Sequence, residues 1–215
     1  MAANNASKPR VSNAERRRLS TLSVLDSALH LFVTRGYATT SMDDVARHCG
    51  LTKGAVYFYF KDKLSLLDAL LERSHTEMIA PVIEKLKSSN GSARDRIVLL
   101  TNWFARVGAE HKELPLLHVL VSLEMHGTGN KVEQHVRQTY VDLHQAITHV
   151  TEQGQTNGEF SRDISPHYQA SVIVSIIDGL LLEWHRRGNQ LDGRALARGA
   201  RNMILNGIAM EKRPA

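Results

Sequence analysis

The sequence predicts an all-α protein: an N-terminal domain of three short helices that carries a helix-turn-helix, joined to a larger helical domain, about nine helices in all. Two observations predict it. Aromatic residues make up only 6% of the 215 residues although hydrophobic residues make up 42%, and the apolar content leans on Leu and Ala, which favour helices. Extended β-branched runs bounded by turn residues are scarce, whereas apolar residues recur at helical spacing between Gly, Ser, Asn and Pro punctuation.

The elements follow in chain order. Residues 1–11 are small, polar and basic, and read as a disordered arm. A helix is expected from Asn13 to Arg35, where Leu22, Leu25, Ala28, Leu29 and Phe32 share a stripe and Gly36 stops it. Ser41 is a good N-cap for a short second helix, with Met42, Val45, Ala46 and Cys49 at i, i+3, i+4, i+7 and with Asp43 and Asp44 at the positive end of its dipole. Gly50 closes it, and Thr52 caps a third helix through Phe60 with Val56 and Phe60 facing inward. Longer helices follow: Ser65 to Lys87, bent near Pro81; Ala93–Glu110; Glu113–His126; Lys131–Gln153; Ser165-Pro166 through Trp184; and Arg194 to Met210. The domain boundaries expected are 12–62 and 63–215.

Charge divides the chain the same way. Ten of the 27 Lys and Arg and five of the 22 Asp and Glu fall within residues 1–63, which leaves 17 of each sign for the remainder. The whole excess of +5 sits at one end. A polyanion-binding head on a neutral body is one reading; a solvated charge run is the other. Cys49 is the single cysteine, so no intrachain disulfide can form and a reducing cytoplasm is expected. Met1–Arg18 lacks the apolar core of a secretory signal, and the apolar stretch Ala170–Leu182 is interrupted by Asp178 and too short to span a bilayer.

Ser41–Phe60 meets the demands of a helix-turn-helix. Its first helix buries the small or branched Val45 and Ala46, Gly50 turns the chain, Leu51 plugs the corner, and the second helix offers a short, nearly uncharged face for a major groove. The wider stretch resembles the N-terminal signature of the TetR/AcrR family. The matching residues are Leu31-Phe32, Gly36-Tyr37, Thr40-Ser41, Val45-Ala46, Gly50-Leu51-Thr52-Lys53-Gly54, Val56-Tyr57, Tyr59-Phe60 and Lys61-Asp62-Lys63 leading into Leu66-Leu67, without a gap.

That resemblance implies a transcriptional repressor that binds palindromic operator DNA as a homodimer and is released by a small, largely apolar effector. The alternative is a DNA-binding regulator without such an effector. The DNA contacts implied are Thr40 and Ser41 on phosphate, Lys53 on a guanine edge or phosphate, Ala55 on a thymine methyl, Tyr57 and Tyr59 on phosphate or base, Arg47 on base or backbone, and Lys63 as a phosphate anchor. Thr52 opens the recognition helix, and Gly54 permits close backbone approach. Tyr57 and Tyr59 could instead be core, and Phe58 is taken as packing.

The last two helices are implied to pair with those of a second copy, through Ile173, Ile176, Leu180, Trp184, Leu196, Ala200, Met203 and Ile204. The helices between are expected to enclose the effector among Trp103, Phe104, Leu117, His118, Val121, Glu124, Met125, Tyr140 and Ile177, with Glu124 and His118 as polar groups in an apolar run. Ordinary core with one solvent-facing stripe is the competing reading. The 11 histidines form no compact i, i+4 pair around a carboxylate, so no metal is expected. No phosphate loop, nucleophile elbow or H-E-x-x-H run appears, so neither a catalytic role nor a cofactor is expected.

Overall fold

A computed structural model describes residues 12–208. The expected arm, 1–11, and the end of the last helix at Met210 lie outside the described residues. These hold α1 (Asn13–Arg35), α2 (Met42–His48), α3 (Lys53–Tyr59), α4 (Lys63–Ser74), α5 (Ala80–Ser88), α6 (Ala93–Glu110), α7 (Glu113–Glu124), α8 (Lys131–Thr156), α9 (Pro166–Arg187) and α10 (Gly193–Ile208), and no strand. If α4 and α5 count as one interrupted helix, the described residues contain nine.

The interruption is a five-residue π-helical segment, His75–Ile79. A bend was expected at Pro81, which sits in the first turn of α5 and has no N–H to return to the carbonyls of the helical turn before it. The adjustment falls just upstream, where the Ala80 N–H reaches back five residues to the His75 carbonyl.

The chain divides into two compact units, Met1–Leu66 and Leu67–Ala215. In the first, α1 starts at Ser12, whose side chain accepts the Glu15 N–H at 3.1 Å, and stops at Gly36, whose φ of 90° most residues avoid. α2 begins with a reciprocal capping box between Ser41 and Asp44. It ends in a Schellman motif: the Leu51 N–H reaches the Ala46 carbonyl at 3.0 Å, and Gly50 takes the left-handed conformation. Val24, Ala28, Leu31, Phe32, Val45, Ala46 and Val56 form the buried interior.

In the second unit the core gathers side chains of the π segment, α5, α6, α8, α9 and α10 around Ile97, Leu100, Ile147, Val150, Phe160 and Ile173. α6 starts with a second capping box, Ser92 with Asp95, and α8 with Asn130 accepting the Val132 and Glu133 N–H groups. α8 runs past the expected end at Gln153, and Gly154 sits inside it because Phe160 folds back onto the helix there. A Cβ at Gly154 would lie 2.2 Å from Phe160 Cδ2. α9 passes Trp184 to Arg187 and ends at Gly188, φ 51°.

Candidate nucleic-acid interface and interior cavity

The recognition helix α3 is built from a cap and one inward side chain. Thr52 Oγ1 accepts the Ala55 N–H at 3.2 Å, and Val56 is fully buried. That orientation leaves Thr52, Lys53, Gly54 and Tyr57 exposed, with Ala55 and Tyr59 half-buried. Lys53 Nζ pairs with Asp43 at 2.9 Å across the turn, and this hydrogen bond raises its pKa. The pair is largely solvated, so it contributes little to stability and its cation remains close to the surface. A Cβ at Gly54 would meet nothing within 4 Å. The protein's own packing therefore does not demand glycine at that position.

Arg47 is exposed on α2 and pairs with Asp44. Hydrogen bonds from the Ser41 side chain and backbone, with a smaller contribution from Arg47, hold the Asp44 carboxyl down at about 2.

Three expectations need correction. Thr40 was expected to offer its hydroxyl to phosphate, but it is 1% exposed. Its hydroxyl is committed to the carbonyls of Gly36 at 2.8 Å and Leu31 at 3.3 Å, tying the loop back onto α1. Lys63, expected as a phosphate anchor, donates to the carbonyls of Tyr37 at 2.7 Å, Ala38 at 3.3 Å and Thr40 at 2.8 Å. Its ammonium lies 4.2 Å from the Tyr37 ring centroid. In this conformation it closes the α1–α2 loop. Phe58, taken as packing, is 69% exposed, with the Arg17 guanidinium 5.3 Å from its ring centroid. The sequence reading missed Arg17 altogether; a basic residue facing an aromatic one helix away has no local signature.

The second unit holds a pair of adjoining cavities, apart from another of about 520 Å³ and more polar lining between the π segment, α5 and α8. The larger of the pair, about 510 Å³, lies between α6, α9 and α10, with an apolar lining that includes Phe104, Ile177, Leu181 and Trp184 and with Lys112 and Arg194 also on its wall. The smaller, about 20 Å³, lies between the π segment and α6–α9. It shares Phe104, Ile177 and Leu181 with its neighbour, and its polar lining is His118, Thr139, Tyr140 and Asp178. Tyr140 donates to Asp178 Oδ2 at 3.1 Å. Burial pushes the Asp178 carboxyl up to about 6, and the Tyr140 hydrogen bond opposes that shift. Burial, then the Asp178 charge, raises the Tyr140 phenol. His118 is 4% exposed, and neither ring nitrogen has a hydrogen-bond partner among the described residues. Burial, helped by nearby His135 and His75, lowers its pKa to about 4.

Of the expected pocket residues, Phe104, His118, Tyr140 and Ile177 are thus brought together. The others line neither cavity. Trp103 donates its Nε1–H to the Met78 carbonyl at 2.9 Å and is flanked by Lys85 and Arg106. Leu117, Val121 and Met125 are buried elsewhere in the core. Glu124, at the last turn of α7, is exposed and so is not the buried charge expected. That role falls to Asp178, legible only as the one charge inside an apolar run.

The expected dimer face also needs revision. Ile173, Ala200 and Ile204 are buried within their own unit, Leu180, Trp184 and Leu196 line the larger cavity, and Ile176 is half-buried. Met203 is exposed, as are Tyr168 and Val172 on α9. Among the described residues no helix is long and apolar enough to cross a membrane, and no group of three or more His, Cys, Asp or Glu is placed to hold a metal ion.

Two family models match: "Bacterial regulatory proteins, tetR family" over residues 24–70 and "YsiA-like protein, C-terminal region" over residues 71–207. The crystal structure of the MbdR regulator from Azoarcus sp. CIB is 35% identical, covers 89% of this chain and 100% of its own, and superposes with a TM-score of 0.82. The transcriptional repressor KstR2 of Rhodococcus jostii (strain RHA1) is 23% identical over 186 residues, 86% of this chain and 89% of its own. The fold is shared by Bacillus subtilis FadR, solved in complex with stearoyl-CoA, at 19% identity and a TM-score of 0.70 over 87% of this chain and 98% of that one. The chain is a DNA-binding transcriptional regulator of the TetR/AcrR family, not an enzyme.

Proposed function

We propose that the protein is a repressor that binds a palindromic operator as a homodimer and is released by a small, largely apolar effector. The larger cavity carries this reading. About 510 Å³ of mostly apolar space inside a helical unit matches the size and character of a small-molecule site. Stearoyl-CoA in the FadR complex is a ligand with a long apolar part, in keeping with a lining of that kind.

Operator contact is assigned to the face that leaves Ser41, Arg47, Thr52, Lys53, Gly54, Tyr57 and Tyr59 accessible. Thr40 then serves the shape of the head, and Lys63, half-buried at the start of α4, is assigned as a phosphate contact that would exchange its loop carbonyls for the DNA backbone. Ala55 is half-buried beside that face. Dimerisation is assigned to the outer sides of α9 and α10, where Tyr168, Val172 and Met203 are exposed apolar groups. Two recognition helices set ~34–36 Å apart by a two-fold axis read half-sites one helical turn apart. Control of the operator runs through α4, the one helix whose residues belong to both units. An effector acts by favouring a head spacing that misfits the operator, for which a few kcal/mol is enough.

The test is fluorescence anisotropy on a labelled operator, with and without a panel of lipophilic compounds. The wild type should bind, and Lys53→Ala should weaken binding and flatten the log–log salt slope by about 1. At least one compound should release the operator. If none does while binding stays salt-dependent, the chain is a regulator without a small-molecule effector. An unchanged slope for Lys53→Ala removes that residue from the interface.

A further inference from the structure

The inner cavity has a polar demand that the protein leaves unmet. His118 is almost fully buried, and neither of its ring nitrogens is bonded among the described residues. A neutral imidazole has one donor and one acceptor, and stranding both in an apolar interior is unfavourable unless something fills them. The volume beside it, about 20 Å³, holds little more than a single heavy atom with its hydrogens. The other charged or ionisable groups on the wall are Asp178 and Tyr140, already paired with each other, and the wall carries no Lys or Arg. Three residues, Phe104, Ile177 and Leu181, separate this point from about 510 Å³ of largely apolar space.

We propose that the two cavities form one site for an uncharged aryl or alkyl ligand bearing a hydroxyl. The apolar body occupies the space between α6, α9 and α10, and the hydroxyl reaches between Phe104 and Ile177 to His118. A hydroxyl can either donate or accept, so it can pair with whichever of the two diverging ring nitrogens faces the cavity, in either neutral tautomer. A carboxylate at the His118 end offers only acceptors and sets a second negative charge beside Asp178, since Lys112 and Arg194 line only the outer cavity. An ammonium offers only donors, loses its hydration on entry, and finds the one carboxylate on that wall, Asp178, already hydrogen-bonded by Tyr140. The low pKa of His118 agrees with a ring that stays neutral at physiological pH.

This inference rests on the effector reading above, and the experiment separates the two. Calorimetry on the full chain without DNA would compare 4-butylphenol, butylbenzene, 4-butylbenzoate and 4-butylbenzylamine. The phenol should bind at least about tenfold more tightly than each of the others. His118→Leu should bring the phenol and butylbenzene to within about threefold of each other. Asp178→Asn, which keeps the shape of the wall, should recover at least about tenfold for the benzoate. The proposal is overturned if the phenol fails to bind, if the benzoate or amine binds as tightly, or if His118→Leu leaves the phenol's advantage intact. Selective phenol binding without operator release would sink the effector-release reading and keep this one. Operator release by compounds indifferent to His118 would do the reverse.

Discussion

Gly54 shows at the residue scale how packing and function separate. It lies in the first turn of α3, where glycine is a poorer helix former than alanine, and a Cβ there would touch nothing within 4 Å. Gly54→Ala should therefore leave the fold intact or stabilise it by about 0.4–1 kcal/mol. If DNA backbone approaches that turn, the same change should weaken operator binding about tenfold or more. Thermal melting and operator anisotropy on the one variant check both halves; unchanged affinity would place Gly54 away from DNA. Thr40 and Lys63 make the complementary point. Each has chemistry suited to phosphate, and each spends it on backbone carbonyls of the α1–α2 loop.

Among the elements, the caps were the most legible. Ser41, Gly50 and Thr52 sit where the chemistry of helix ends predicts, because a cap acts within three or four residues of itself. Pro166 opens α9 at its first position, although the Ser165 side chain makes no cap bond. The interruption before Pro81 was legible in kind and misplaced by a few residues, since a missing N–H disturbs the carbonyls of the preceding turn. The end of α8 was missed because Gly154 reads locally as a stop. Its reason for being glycine is tertiary: the Phe160 ring and the Ala93 methyl, which would stand 2.9 Å from an added Cβ, occupy the space. Gly154→Ala should cost about 1–3 kcal/mol through overpacking. Urea unfolding followed by tryptophan fluorescence would measure it, since both tryptophans, Trp103 and Trp184, lie in the larger unit. A midpoint equal to wild type would mean that Phe160 swings aside at little cost.

For the molecule as a whole, the unpartnered histidine has a measurable consequence for acid stability. His118 is pushed down to about 4 when folded, from 6.5 when unfolded. Between those values the unfolded chain binds the extra proton, so stability is full above about pH 6.5 and falls as pH drops toward 4. Asp178 acts in the opposite sense. Its folded value, raised to about 6 from 3.8, makes stability greatest below about pH 4 and lowers it as pH rises to 6. His118→Leu should therefore remove the larger part of the acid-side loss, up to about 3 kcal/mol over the full range. The part due to His144, whose pKa is also lowered by burial and by His167, remains. The variant should lose less stability than wild type on going from pH 7 to pH 5. Urea midpoints at those two pH values decide it. If the variant loses as much as wild type between them, His118 is not the group that titrates.

The sequence by itself determined the all-α class, the helix-turn-helix and its caps, the family, and the basic head on a neutral body. All of these depend on residues close together in the chain or on composition, where periodicity, capping and charge act locally. Tertiary structure alone decided which polar side chains are spent inside. It turned Thr40 and Lys63 toward carbonyls and Phe58 toward solvent. It left Glu124 outside and enclosed Asp178 instead. It also placed Ile173, Ala200 and Ile204 in the unit's own core. Those outcomes depend on which helix faces which at separations of tens of residues, and an amphipathic stripe states only that a face is covered, not what covers it.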